Sequence, residues 1–131
     1  MTFDMAKGLF AKRRKGSHVK RLPGRSTIMY YSIEPAGKYN VAAFCIKYHW
    51  TTVLKIREDN TWVLNSGRFR TVTTKARINE YSPARVYSHR GKWYLWPYTS
   101  QDLDLFGRID RGQEFFDGMM INRDGEVKES S

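Results

Sequence analysis

The chain has a single cysteine, Cys45, so it cannot close an internal disulfide. Cys45 sits in the apolar run VAAFCIKY, which points to a reducing compartment and a buried, inert thiol. No apolar run approaches the roughly 18 residues a membrane helix needs, and the N-terminus lacks the apolar stretch of a signal peptide. An intracellular protein is expected. Acidic residues are scarce at the front: none lies between Asp4 and Glu34, and residues 1 to 99 hold 5 Asp or Glu against 19 Lys or Arg. His18, His49 and His89 are not paired at zinc-site spacing, so no metal is assigned. No Walker A spacing is present, nor any RNP, KH or helix-turn-helix signature, and no cofactor is expected.

What is present is charge and aromatic surface. The 131 residues carry a formal charge of +10 and are 40% hydrophobic and 15% aromatic, enough for one core. A field of that sign draws phosphate-rich or acidic partners and says nothing about fold. Residues 1 to 25 read as a flexible basic arm around Lys12, Arg13, Arg14, Lys15, Lys20 and Arg21. A short helix in its first half is limited by Gly8, Gly16 and Pro23-Gly24.

From residue 26 the texture is that of strands, with segments 26–33, 40–49, 51–58, 61–66, 84–90 and 92–98 bounded by turn signals. Asp59-Asn60, Arg90-Gly91 and Arg123-Asp124-Gly125 mark hairpins, while DLDLFGRI is ambiguous. A short helix is expected near 73–82, capped by Thr73 or Thr74 and ended by Pro83. The fold class is therefore α+β: one domain over 26–127, a small mainly antiparallel sheet or partly open barrel, with a tail at 128–131.

The stretch LNSGRFRTVTTKARIN gathers hydroxyls and cations where a strand hands over to that helix. Thr71, Thr73, Thr74 and Lys75 would stand near free N–H groups and the positive end of the helix dipole, with Arg68, Arg70 and Arg77 adding charge. That is a recipe for an anion or nucleic-acid phosphate. The plainer reading, threonines capping a helix and cations facing water, outweighs it. His49, Thr51, Ser66 and Asn79 form a second polar cluster, in which a structural role for His49 outweighs acid–base work. Aromatics alternate with cations at Tyr48 to Trp50 and at Arg68-Phe69-Arg70. Such rings can stack on bases, although core packing has the prior claim on most of them.

Residues 48 to 79 carry the pattern Tyr48, His49, Thr51, then Ser66, Gly67, Phe69, then Thr71, Thr73, Thr74, Lys75, Arg77, Ile78, Asn79. This resembles a widespread family of small tailed-bacteriophage proteins, and GKWYLW and EFFDGMMI are similar to later segments of the same family. Gly67-Arg68-Phe69 departs from the Gly-Gly-Trp common there. The resemblance implies a phage origin and the cytoplasm of a bacterial host, and supplies no activity. On the residues, the first expectation is a non-enzymatic accessory protein binding nucleic acid or a host nucleoprotein complex. The alternatives are an inhibitor of a host defence system, anti-CRISPR or similar, acting on a host protein target, and a nucleotide sponge or enzyme using the Thr71 to Arg77 turn. No nucleophile paired with a base is visible in the sequence, so the enzyme reading ranks last.

Overall fold

A computed structural model describes residues 1–95, 113–125 and 127. Along the chain run α1 (Phe3–Ala11), β1 (Val19–Arg21), β2 (Thr27–Ala36), β3 (Tyr39–Tyr48), β4 (Thr51–Arg57) and β5 (Trp62–Leu64). Then follow α2 (Val72–Tyr81), β6 (Val86–His89), β7 (Lys92–Leu95), β8 (Gln113–Glu114) and β9 (Met119–Ile121). The strands make a six-stranded sheet in the order β1-β2-β3-β4-β5-β9 and a three-stranded sheet in the order β6-β7-β8, neither closed on itself. Among the described residues all the ladders are antiparallel, most of them between strands joined by short turns, with β5–β9 and β7–β8 the long-range exceptions.

Turn chemistry sets the registers. Arg90 and Gly91 both have positive φ, 52° and 78°, as a two-residue type I′ turn requires, and they pair His89 with Lys92. Asn60 closes the β4–β5 connection at φ 63°, a conformation that Asn tolerates better than most residues. Gly125, at φ 81°, turns the chain so that Val127 bridges back to Ile121. β4 pairs with β5 through Leu54↔Leu64 and Ile56↔Trp62, and β5 pairs with β9 through Trp62↔Ile121 and Leu64↔Met119, which lines up core residues on one face. One apolar cluster joins these to Ile78 and Tyr81 of α2, to Val86, Trp93 and Leu95 of the smaller sheet, and to Phe115 just after β8.

The flexible arm expected over 1–25 is corrected. Thr2 caps α1, accepting from Met5 N at 3.2 Å. Ala6 is fully buried, and the rings of Phe3 and Phe10 lie 5.0 and 5.3 Å from Phe44 on β3. Met1 O accepts from Trp62 Nε1 at 3.0 Å. The physical reason is the spacing of Phe3, Ala6 and Phe10, which sets an apolar stripe on one side of a helix whose other side is charged. Lys20 and Arg21 then lie on β1, an edge strand where cations oppose edge-to-edge pairing. The helix cap is also corrected: α2 begins two or three residues earlier than Thr73 or Thr74 would set it, on Thr71, whose extended backbone (φ −94°, ψ 163°) lets Oγ1 accept from Thr74 N. DLDLFGRI, the end of the 92–98 strand and the 128–131 tail lie outside the described residues.

Candidate functional site

β3 and β4 meet in a tight turn. A register shift between Ile46 and Lys47 brings Tyr48 opposite Thr51, leaving His49-Trp50 as the connection. His49 takes φ 55°, and its backbone N–H donates to Ser26 O at 3.0 Å; its ring lies 4.3 Å from that of Tyr48. The next side chain, Trp50, is thrown outward and is 91% exposed, with Lys47 Nζ 5.8 Å from its ring centroid. A tryptophan this exposed loses the burial that its ring would gain in a core.

The facing wall is the loop from Asn65 to Thr71. Asn65 Oδ1 accepts from Gly67 N at 2.8 Å, and Phe69 N donates to Ser66 O at 3.0 Å, folding a compact turn. Gly67 has φ 60°, and a Cβ there would come within 2.6 Å of Thr51 Oγ1. The close approach of the two walls thus requires glycine. Ser66 is fully buried, and both its N–H and its hydroxyl donate to Asp117 Oδ1 at 2.7 Å. Asp117, on the segment leading into β9, therefore fixes the loop from behind.

Between the walls lies a pocket of about 340 Å³. It is lined by buried Val53, Ser66 and Thr74, by half-buried Tyr48 and Thr51, and by exposed His49, Trp50, Phe69 and Thr71; Phe69 is 66% exposed. The hydroxyls of Thr71 and Thr74 lie 3.0 Å apart. Trp50 and Thr51 also border a second depression of about 520 Å³, shared with Tyr30, Thr52, Lys55, Val63, Asn65 and Gly118. There Tyr30 Oη bonds Thr52 Oγ1 at 2.6 Å, and Lys55 is paired with Glu34. That bond raises the Lys55 pKa, and burial raises that of Tyr30. Under the same face Cys45 is buried, and its thiol is pushed up to about 11 by desolvation.

The structure brings together His49, Thr51, Ser66, Thr71 and Thr74. It does not bring the cations into one cradle. Lys75 Nζ donates to Ser88 Oγ at 2.8 Å, toward the small sheet. Arg77 points the other way: Nε donates to Thr27 Oγ1 at 3.0 Å, the guanidinium lies 5.7 Å from the Tyr48 ring and 3.5 Å from Glu80, and it occupies the space a side chain at Gly24 would need. Residues two apart on a helix do not share a face, which is why the expected convergence fails. Arg70 lies over Phe115 and Trp93, at 5.4 and 5.8 Å, and Arg68 is exposed in the loop at φ 70°. Lys12, Arg13, Arg14 and Lys15 follow α1, and Arg13 Nε donates to Ser17 O at 2.8 Å. Thr73 is not among the pocket residues. Asn79 exchanges two bonds with Val86, at 2.7 and 2.9 Å, and so anchors β6 instead.

Among the described residues, no three His, Cys, Asp or Glu side chains are grouped to hold a metal ion, and no helix is long and apolar enough to cross a membrane. The residues absent from the expected site are Tyr48, Trp50, Val53 and Phe69 of the pocket lining, and Asp117 behind it. Alternation of rings with cations signalled Trp50; nothing local signalled Asp117. Compared with known proteins, the chain matches no family model, no curated protein and no solved structure.

Proposed function

We propose that this protein binds nucleic acid, alone or in a nucleoprotein complex, as an accessory protein of phage origin working in the host cytoplasm. The observation that supports it best is a pair of exposed rings at one pocket, Trp50 with Lys47 beside it and Phe69 next to the exposed Arg68, in a chain of net charge +10. Exposed rings offer stacking faces and the cations a phosphate track, while hydroxyls below offer hydrogen bonds. The positive field raises the rate of encounter with a polyanion.

The test is a binding titration with unlabelled-sequence oligonucleotides at several salt concentrations. Affinity is expected to fall linearly on a log–log plot, by about 0.7 to 0.9 per phosphate contacted. Salt-insensitive binding, or none, would rule the reading out. The exposed apolar residues Trp50, Phe69 and Val72 favour a second reading, an inhibitor that docks on a host protein. Pull-down from host cells with and without nuclease separates the two: nuclease abolishes capture under the first reading and leaves it intact under the second.

A further inference from the structure

We propose that the pocket beside Trp50 receives an unpaired nucleobase, so that the ligand is a single strand rather than a duplex. This rests on the nucleic-acid reading of the same face and adds what that reading leaves open. The argument begins with shape. A flat ring needs a stacking surface and a cleft, whereas a duplex offers its bases only edge-on within grooves. At the site the β3–β4 turn presents one ring, Trp50, beside a cleft of about 340 Å³, whereas the two-stranded ribbon that β2 and β3 extend beyond β1 and β4 has its tip at the other end of β3. That volume is at the low end of small-ligand sites.

Chemistry points the same way. The cleft is mainly apolar over Val53, and its polar points are the Thr51 hydroxyl and the Thr71–Thr74 hydroxyl pair, which bond each other and keep only part of their capacity for a base edge. Ser66 is already committed to Asp117, which makes it a support. Trp50 borders the second, more polar depression as well, where Thr52, Asn65 and Lys55 lie. A strand whose base enters the first cleft can continue past the indole edge into the second. The ring then serves as the partition between one nucleotide and the next, and Lys47 beside it meets the phosphate.

The experiment follows tryptophan fluorescence while the full chain is titrated at fixed low salt with a single-stranded oligonucleotide, its duplex, and an abasic strand of equal length. The single strand is expected to bind at least about tenfold more tightly than the other two and to quench the emission. Because Trp50 is almost wholly exposed, Trp50→Ala leaves the fold intact; it should weaken single-strand binding by roughly 5- to 150-fold, the loss of one stacked base, while the duplex and abasic affinities stay unchanged. Phe69→Ala should act in the same direction, and Trp50→Phe should retain most of the affinity. Equal, salt-dependent affinities for all three ligands, untouched by Trp50→Ala, would overturn the base pocket and leave the broader reading standing. Failure of all three ligands to bind at any salt would remove both.

Discussion

Gly67 holds two constraints in one residue: a left-handed backbone at φ 60° and the pressing side chain of Thr51. Gly67→Ala is expected to destabilise the protein by about 1 to 3 kcal/mol, and chemical denaturation will measure it. Asp117 supports the same loop from a distance of 51 residues in sequence. Asp117→Ala leaves the buried Ser66 N–H and hydroxyl without their acceptor, at a cost of about 1 to 3 kcal/mol, and Asp117→Asn, which keeps one oxygen, should lose less. Cys45 is the simplest probe of the core. Its pKa rises from an ordinary 9.0 to about 11, so the native state keeps the proton through that window and holds roughly a hundredfold less thiolate at neutral pH. Labelling with a thiol reagent should be slow in buffer and rapid in denaturant; fast labelling of the native protein would contradict this burial.

At the scale of elements, α2 depends on a single cap. Thr71→Ala removes the acceptor for Thr74 N and should cost about 1 kcal/mol, whereas Thr73→Ala should be nearly neutral, a contrast that thermal melts can resolve. Much of this level was legible in the sequence. Asp59-Asn60, Arg90-Gly91 and Gly125 turned the chain where their φ preferences said they would, because turn chemistry is local. The helix body was legible too, but the cap was not: Thr73 and Thr74 were the expected caps, and the extended backbone that makes a cap falls on Thr71 instead. α1 was hidden by its own charge: counting cations obscured the stripe of Phe3, Ala6 and Phe10 that packs on Phe44. His49, Thr51 and Ser66 were legible as one polar cluster and Thr71 and Thr74 as part of another, but their meeting at one pocket, without Asn79, was not. Nor was the Asp117 bracket, since it depends on which strand lies beside β5.

Over the whole molecule the charge is a property of no single site. Lys20 and Arg21 lie on the β1 edge, Lys75 and Arg77 lean to opposite sides of α2, Lys47 stands beside Trp50, Arg68 is exposed in its loop, and Arg70 is held over Phe115 and Trp93. A dispersed field of this kind speeds encounter without dictating orientation, so the salt dependence should be shared among many residues. Replacing any one of Lys12, Arg14 or Lys20 with Ala is expected to weaken oligonucleotide binding modestly and alike for every sequence, in contrast to the selective loss at Trp50.

The pairing of β5 with β9 also bears on how the chain is made. On the ribosome, Trp62–Leu64 emerge well before Met119–Ile121, on the order of several seconds earlier at roughly 5 to 20 residues per second. Throughout that interval the nascent sheet ends in a raw, sticky border of tryptophan, valine and leucine, and the loop that Asp117 will later brace has no brace. Completion of the pocket therefore waits for β9, and until that strand arrives β5 is the border left uncovered.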